Sequence, residues 1–342
     1  MKQVRLGKTN LEVSEVGLGG IPIIQLSLEE GISLVRYAYD RGIRFVDTAH
    51  AYGDSEEKIG LALEPVRDHV VIATKSMKRD ATTVADHITK SLKNLKTSYI
   101  DIYQIHDIAS EETLNEVLAP GGAYEAIDQA RSEGKVRFIG FSSHDIKTAI
   151  TACHTGLFST IQLPFNFIED EAAEELFVTA RELDLGMIAM KPLGGGLLER
   201  AHLCFRFLQQ YTDVVPIPGL SFRHEVDEIV ELYERPAKLT GKDWKEIETI
   251  RGELGKTFCH RCGYCMPCEQ GVKISAGMIF KSRMKRLAPA DLVTLDKTAM
   301  ESIESCTACG RCIEKCPYNL PIPDVLREHL DLYREIARRY NT

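Results

Sequence analysis

The first two thirds of the chain alternate between short apolar runs and amphipathic stretches, and this alternation restricts the fold more than any other feature. Each of eight apolar runs predicts a β-strand, and each is followed by a pattern typical of a helix. The runs are residues 16–20, 43–47, 70–75, 99–106, 136–142, 160–164, 186–191 and 213–218. Strict alternation implies parallel pairing, so the sequence predicts an α/β fold of the TIM (β/α)8 barrel type.

Two further observations refine this prediction. Turn residues at Gly7 and Asn10 predict a hairpin ahead of the barrel. No G-x-G-x-x-G turn follows the first strand, so an open doubly wound sheet would lack its phosphate-binding loop. The strand pattern ends near Glu234, and Arg235-Pro236 and Gly241 punctuate a linker. We therefore expect a barrel domain over residues 1–240 and a small, mostly α-helical domain over residues 241–342.

Three consecutive predicted strands end in an ionisable residue. These residues are Asp47, Lys75 and His106, and Tyr52 follows the first of them in a polar loop. Because barrel enzymes carry their active sites at the carboxyl ends of the strands, we expect these four side chains to lie close together. The alternative is a structural ion pair between Asp47 and Lys75, with Tyr52 and His106 packed as ordinary core residues.

These four side chains suit the reduction of a carbonyl group. A phenol has an ordinary pKa of about 10, which is too high for easy proton donation at neutral pH. We expect the Lys75 ammonium to lower the pKa of Tyr52, the general acid, and Asp47 to hold that ammonium charged and in place. His106 could hydrogen-bond the substrate oxygen and share its developing negative charge.

The segments around these residues resemble the aldo-keto reductase family. They read D-T-A-H-A-Y-G-D-S-E at residues 47–56 and L-G-K-T-N-L-E-V-S at residues 6–14. The resemblance extends from the start of the chain to the neighbourhood of Arg235. It implies reduction of an aldehyde or ketone, or the reverse oxidation of an alcohol, with NADPH or NADH as the hydride carrier.

The same resemblance implies which residues bind the dinucleotide. Groups after the fifth strand and within the sixth would hold the nicotinamide amide, a loop after the seventh would approach the pyrophosphate, and a loop and helix after the eighth would hold the adenosine end. The residues at the nicotinamide amide would be Ser142, Ser143 and Gln162. Those at the pyrophosphate would be Lys191, Pro192 and Leu193, and those at the adenosine end would be Gly219, Ser221, Arg223 and Glu228. Ser143 and Ile229 stand where relatives usually carry asparagine. Ordinary turn chemistry is the alternative for all of these positions.

Eight of the ten cysteines lie in the last part of the chain, in two runs. Residues 306–317 read C-x2-C-x2-C-x3-C-P, which is the spacing of bacterial ferredoxins with two clusters, and residues 259–268 read C-x2-C-x2-C-x2-C. Disulfides are disfavoured in a reducing compartment, and two zinc sites of four thiolates each are the alternative. A triple C-x2-C-x2-C with a distant fourth cysteine favours two 4Fe–4S clusters.

This cysteine-rich tail resembles one found on a subset of aldo-keto reductases, and the resemblance implies the ligands of each cluster. One cluster would be held by Cys259, Cys262, Cys265 and Cys316. The other would be held by Cys268, Cys306, Cys309 and Cys312.

The net charge of −8 is unevenly distributed along the chain. Residues 251–342 carry 15 Lys and Arg against 11 Asp and Glu, which gives +4 and leaves −12 for the remainder. Clusters held by thiolates are anionic, so they account for a basic tail better than nucleic acid does. The amino terminus has no apolar signal core, and no stretch reaches the roughly 20 apolar residues of a membrane helix. We expect a cytoplasmic protein with no membrane span and no nucleic-acid partner.

The sequence thus predicts an oxidoreductase that combines hydride chemistry in a barrel with electron transfer through clusters, with a ferredoxin-type protein as a redox partner. Hydride carries two electrons and each cluster carries one; a flavin could bridge the two, but no flavin motif is present. Two alternatives stay open. One is a nicotinamide-independent electron-transfer protein that couples ferredoxin-type partners to a substrate in the barrel, and Ile229 favours it. The other is a binding scaffold in which the clusters are structural supports.

Overall fold

The computed structural model describes residues 1–254, 257–259, 263–284 and 289–340, apart from the side chains of Ser282 and Asp291. The chain divides into two compact units. The first consists of Met1–Gly194 and Leu198–Trp244, and the second of Gly195–Leu197 and Lys245–Thr342. As functional domains, residues 1–240 and 241–342 remain a prediction.

The first unit is a closed barrel preceded by a hairpin of β1 (Gln3–Arg5) and β2 (Glu12–Ser14). Eight further strands form one parallel sheet in chain order. They are β3 (Leu18–Gly19), β4 (Phe45–Asp47), β5 (Val71–Ser76), β6 (Ile100–Ile105), β7 (Val136–Ser142), β8 (Thr160–Pro164), β9 (Gly186–Met190) and β10 (Val214–Pro216). The first and last strands also meet, because the Gly19 N–H donates to the Pro218 carbonyl at 2.8 Å. The closed parallel sheet confirms the predicted fold.

Helices connect successive strands. Those that begin in the first unit are α1 (Leu28–Asp40), α2 (Ser55–Leu63), α3 (Ala81–Asn94), α4 (Glu111–Leu118), α5 (Ala123–Ser132), α6 (Ile146–His154), α7 (Leu176–Glu182), α8 (Ala201–Leu208), α9 (Arg223–Glu234) and α10 (Gly241–Leu254). Several begin at side chains that cap free backbone N–H groups: Ser27 and Glu30 form a capping box at α1, and Asp80 caps α3.

Helix α4 lies between β6 and α5, in a segment with no clear helical periodicity in the sequence. Ser110 accepts a hydrogen bond from the Thr113 N–H at 3.2 Å, and acidic residues occupy the first turn, so the helix start is well capped. Only Leu114 and Val117 are buried in this short helix. Two apolar positions give too weak a periodicity to indicate a helix.

The hairpin lies against the lower end of the barrel, where the strands begin. Leu6, Leu11 and Val13 are buried there in one core with residues of the barrel strands, and Leu6 is 0% exposed. Gly7 has a φ of +50°, and a Cβ at this position would lie 2.2 Å from the Gly186 backbone nitrogen. Only glycine fits this turn, because both the backbone conformation and the close approach exclude a side chain.

The second unit contains helices among its described residues and no strand, as predicted. They are α11 (Ile274–Met278), α12 (Phe280–Met284), α13 (Pro289–Ser302), α14 (Arg311–Glu314) and α15 (Ile322–Tyr340). Their core includes Phe280, Met300 and Leu326, and partly buried cysteines pack against it. No helix within the described ranges combines the length and the apolar character that crossing a membrane requires.

Candidate active site at the barrel mouth and candidate cluster site in the tail

Ionisable side chains from three adjacent strands lie at the barrel mouth, the end where the strands finish. Asp47 is the last residue of β4, Lys75 lies near the end of β5, and His106 directly follows β6. Tyr52 lies in the turn between β4 and α2. β5 and β6 are buried at every residue, so their continuous apolar runs carry these polar groups into the interior.

Asp47 and Lys75 form a buried ion pair. The Lys75 ammonium donates to Asp47 Oδ1 at 2.5 Å and to the Thr48 carbonyl at 2.8 Å, and the two residues are only 1% and 3% exposed. Burial lowers the pKa of Lys75 and raises the pKa of Asp47, and the attraction between the two opposes both changes. The pair is thus held at the base of the mouth, out of contact with water.

Two amides complete the surroundings of Asp47. Gln104 donates from Nε2 to Asp47 Oδ2 at 3.0 Å, and Gln162 donates from Nε2 to Oδ1 at 3.4 Å. The sequence analysis did not identify Gln104. Its position two residues before His106 was the available signal, because residues two apart on a strand face the same side.

Tyr52 lies above the ion pair. The Lys75 Nζ is 5.4 Å from the centroid of the Tyr52 ring, and the ring of His106 is 5.9 Å away, nearly perpendicular to it. Burial and the Asp47 carboxylate raise the pKa of Tyr52 well above its usual range. The expected lowering of this pKa by Lys75 is therefore wrong for the structure as it stands. The reason is that desolvation disfavours the phenolate and Asp47 offsets the lysine charge.

His106 is held as a neutral imidazole. Burial, and to a smaller extent the positive charge of Lys75, lowers the pKa of His106 to about 3. Its backbone N–H donates to the Ser76 carbonyl at 2.9 Å, and its buried Nδ1 has no hydrogen-bond partner among the described residues. Arg79, which the sequence analysis did not identify, donates to the carbonyls of His106 and Asp107 at 3.0 and 2.6 Å. No sequence motif marks Arg79, because it acts on backbone oxygens.

A fully buried lysine fixes the loop that follows β3. The Lys58 ammonium on α2 donates to the carbonyls of Ile23 and Leu26 at 2.9 and 2.8 Å and to Asp54 Oδ1 at 2.8 Å. Ile24 in this loop is partly exposed, and a Cβ on Gly53 would lie 3.3 Å from its side chain. The loop therefore borders the turn that carries Tyr52.

The candidate nicotinamide residues divide into two kinds. Ser142 Oγ and Gln162 Oε1 are buried polar atoms with no hydrogen-bond partner among the described residues. Buried groups of this kind need a partner, so both fit a ligand amide. The Ser143 hydroxyl instead donates to the Ile108 carbonyl at 2.7 Å and accepts from the Asp145 N–H at 3.1 Å. A cofactor contact through Ser143 would require one of these loop bonds to be exchanged.

The loop after β9 begins in a constrained conformation. Lys191 has a φ of +55°, and its Nζ lies 3.0 Å from His144 Nε2. Pro192 is buried and Leu193 is partly exposed. Their role in pyrophosphate binding remains a prediction.

The loop after β10 and the start of α9 carry the residues predicted for the adenosine end. Gly219 is exposed, while the Ser221 N–H donates to the Glu225 carboxylate at 2.7 Å. The Arg223 guanidinium donates to Ser33 Oγ at 2.7 Å. Glu228 is exposed on α9, whereas Ile229 is 2% exposed in the core. Glu225, which the sequence analysis did not identify, is the residue that holds the start of this helix.

Five cysteines of the tail line one cavity in the second unit. Its volume is about 100 Å³, and its charged lining consists of Lys315 and of Arg311 ion-paired with Glu269. The cysteines that line it are Cys265, Cys268, Cys306, Cys309 and Cys312. The four cysteines expected to hold one cluster, Cys268, Cys306, Cys309 and Cys312, therefore line the same cavity. Cys265, from the set expected for the other cluster, lines it as well. Thiol donors with basic neighbours suit an anionic iron–sulfur group.

Two further described cysteines of the tail do not line this cavity. Cys316 is buried and Cys259 partly buried in the core of the second unit, and Cys262 lies outside the described residues. Within the described residues, no three His, Cys, Asp or Glu side chains converge on a point that a single metal ion could occupy. Cys153 and Cys204 are buried in the first unit.

Comparison with known proteins supports both parts of the chain. A model of the aldo/keto reductase family matches residues 15–203, and a model of a 4Fe–4S dicluster domain matches residues 258–321. The uncharacterized oxidoreductase YqkF of Bacillus subtilis is 29% identical over 218 residues, which cover 59% of this chain and 68% of that protein.

Solved structures show the same fold in the barrel. An aldo-keto reductase of Bacillus halodurans in its holo form has a TM-score of 0.64 at 22% identity, over 73% of this chain and 96% of that chain. An aldo-keto reductase of Klebsiella pneumoniae in complex with NADPH has a TM-score of 0.63 at 22% identity, over 73% of this chain and 95% of that chain.

The family model spans more than half of the 342 residues and includes Asp47, Tyr52, Lys75 and His106 at the barrel mouth. The chain belongs to the aldo/keto reductase family, and its C-terminal region contains a 4Fe–4S dicluster domain.

Proposed function

We propose that the barrel reduces an aldehyde or ketone, or oxidises the corresponding alcohol, with a nicotinamide dinucleotide, and that the tail holds two 4Fe–4S clusters that exchange electrons with a redox partner protein. The observation that carries the catalytic part is the buried Lys75–Asp47 ion pair directly beneath Tyr52. A lysine and a carboxylate are costly to bury together, and their position at the mouth gives them a chemical use.

Tyr52 is the general acid in this proposal. When bound, the dinucleotide supplies hydride to the carbonyl carbon and is itself oxidised. Tyr52 gives its proton to the carbonyl oxygen, so the C=O bond becomes an H–C–O–H unit, and the phenolate then regains a proton from water. The raised pKa keeps Tyr52 protonated before the reaction. The Lys75 ammonium, 5.4 Å from the centroid of the Tyr52 ring, offsets part of the repulsion between Asp47 and the phenolate as it forms.

His106 orients the substrate. Its low pKa keeps the ring neutral, so one ring nitrogen carries a proton and can donate it in a hydrogen bond to the carbonyl oxygen. Arg79 donates a hydrogen bond to the backbone carbonyl of His106, and this bond helps to fix the imidazole ring at the barrel mouth. A neutral donor positions the oxygen without competing with Tyr52 for proton transfer.

Ser142 and Gln162 are the residues that would hold the nicotinamide amide. The support is their buried oxygens, which have no partner among the described residues; Ser142 ends β7 and is paired in register with Gln162 of β8. The Klebsiella pneumoniae relative carries NADPH in its crystal structure. A carboxamide offers two N–H donors and one acceptor, which matches an amide oxygen and a hydroxyl as partners.

Two 4Fe–4S clusters are the proposed cofactors of the tail, and single-electron transfer is the chemistry that they supply. One would be held by Cys268, Cys306, Cys309 and Cys312, which line the shared cavity. The other would be held by Cys259, Cys262, Cys265 and Cys316. A ferredoxin-type protein is the proposed partner. No residue pattern indicates a flavin site, so flavin is not part of the proposal.

A second candidate is an electron-transfer protein that acts on a barrel-bound substrate without nicotinamide. Two observations favour it: Ile229 is buried where relatives usually carry asparagine, and Glu225 already occupies the start of α9. Both changes weaken the expected adenosine site.

Two measurements on the anaerobically purified protein test these proposals. An absorption spectrum with iron, sulfide, zinc and flavin quantified on the same sample should show the broad band of 4Fe–4S clusters, with about eight irons per chain. Zinc in place of iron would overturn the cluster assignment. Titration with NADH and NADPH should show binding of at least one; binding of neither would favour the second candidate.

A further inference from the structure

The Glu225 carboxylate fills the position at the start of α9 where a phosphate group could bind. Its Oε2 accepts hydrogen bonds from the backbone N–H groups of Ser221 and Phe222 at 2.7 and 3.0 Å. Free N–H groups at a helix start attract phosphate, because they point outward and carry the positive end of the helix dipole. Here an internal carboxylate already satisfies them and contributes a negative charge of its own.

Arg223 is the only cation among the described residues that line the adjoining cavity, and it already donates a hydrogen bond to another residue of the lining. This open cavity of about 390 Å³ includes Ser221, Phe222 and Arg223 in its lining. The Arg223 guanidinium donates to Ser33 Oγ on α1 and lies 4.9 Å from the centroid of the Tyr37 ring. Part of the hydrogen-bonding capacity of Arg223 is therefore already used within the protein.

The other charged residues that line the cavity are acidic. Glu29 and Glu30 lie on its α1 side, and Glu225 adjoins it at the helix start. Two carboxylates therefore line the cavity and a third lies beside it, against one guanidinium. A 2′-phosphate, which carries up to two negative charges, would be repelled here, whereas a ribose 2′-hydroxyl can donate a hydrogen bond to a carboxylate.

We propose that this loop selects NADH over NADPH and that Glu225 is the specificity-determining residue. The inference rests on the proposed function and deepens it by naming the dinucleotide. It separates this chain from its Klebsiella pneumoniae relative, which was crystallised with NADPH.

Calorimetric titration of the anaerobic holoprotein with NADH, NADPH, 5′-AMP and 2′,5′-ADP tests the inference. The wild type should bind NADH about tenfold or more tightly than NADPH, and 5′-AMP more tightly than 2′,5′-ADP. Glu225→Gln should reduce the NADH preference by about fivefold or more, chiefly by improving NADPH binding. Glu231→Gln is the matched control, because it removes the same charge from an exposed position on the same helix and should leave the ratio unchanged.

A second variant guards against a loss of folding in Glu225→Gln, whose side chain caps the helix. Glu29→Gln removes an exposed carboxylate that caps nothing, and it should shift the ratio in the same direction by about twofold. Tighter binding of NADPH by the wild type, or an unchanged ratio in both variants, overturns the inference alone. Failure of both dinucleotides and both fragments to bind overturns it together with the nicotinamide part of the proposed function.

Discussion

Gln104 and Lys75 hold opposite oxygens of the Asp47 carboxylate, at 3.0 Å from Oδ2 and 2.5 Å from Oδ1. Gln104→Leu should leave Oδ2 buried without a partner. We expect the free energy of unfolding of the barrel to fall by about 1–3 kcal/mol, with a fall in kcat as the ion pair loosens. Urea unfolding followed by circular dichroism, with steady-state kinetics, measures both effects. Gln129→Leu, which removes an exposed amide paired with Glu133, is the control, and an equal loss of stability in both variants would contradict the argument.

The proton that Tyr52 supplies should be indispensable to turnover. Tyr52→Phe keeps the ring, whose contacts with Lys75 and His106 are those observed for this side chain, and removes only the hydroxyl, so the protein should fold normally. We expect kcat to fall by about 10²–10⁴-fold, the usual range for a general acid. Tyr124→Phe, on α5, should leave turnover unchanged. Full activity of Tyr52→Phe would exclude the proposed acid.

Protonation of His106 should destabilise the fold at low pH. The pKa of His106 is about 3 in the folded protein and about 6.5 when unfolded, so between these values the unfolded state binds more protons and stability falls as the pH falls. Between pH 7 and pH 5 the wild type should lose about 2 kcal/mol more than His106→Asn. Chemical unfolding at both pH values measures this difference. His154→Asn, at an exposed position, should follow the wild type; if His106→Asn does so too, His106 is not held neutral.

Two neighbouring serines should respond in opposite ways. Ser142→Ala removes a buried hydroxyl that has no partner within the described structure, so we expect unchanged stability and about tenfold weaker dinucleotide binding. Ser143→Ala breaks hydrogen bonds to Ile108 and Asp145, so stability should fall by about 1–3 kcal/mol. Thermal unfolding and calorimetric titration of both variants separate the two roles. Weaker dinucleotide binding in Ser143→Ala alone would reverse the assignment.

Loss of one thiol should remove one cluster. Cys309→Ser should lower the iron content from about eight to about four per chain and halve the charge-transfer absorbance. Cys153→Ser, in the barrel, should leave both unchanged, because Cys153 is a buried residue of the first unit. Iron and sulfide analysis of anaerobic samples measures the result. An unchanged iron content in Cys309→Ser would remove this residue from the ligand set.

The sequence predicted the barrel and the positions of Asp47, Lys75 and His106 because both depend on local pattern. An apolar run that ends in a charged residue predicts both a buried strand and the position of its carboxyl end. Gln104 and Arg79 escaped prediction for different reasons. Gln104 has no special spacing beyond its shared strand face with His106, and Arg79 binds carbonyl oxygens that any residue could supply.

At the predicted adenosine site, the sequence alone leaves the most undetermined. Ser221 and Arg223 lie in the expected loop. The Ser221 N–H, however, already donates to the Glu225 carboxylate, and the Arg223 guanidinium already donates to Ser33, so these contacts decide which N–H groups a ligand could meet. A side-chain orientation depends on its three-dimensional neighbours, which no single-sequence pattern encodes. The raised pKa of Tyr52 is a similar case, because it follows from the depth of burial and the balance of two nearby charges.

The buried ammonium of Lys58 makes the loop after β3 a suitable place to vary side chains beside the turn that carries Tyr52. Lys58 donates hydrogen bonds to the backbone carbonyls of Ile23 and Leu26. The path of this loop therefore depends on main-chain oxygens, which every amino acid possesses. The outward-facing side chains of Ile21 and Ile24 can therefore be randomised in a mutant library while the loop keeps its course, provided that Lys58 itself is left intact.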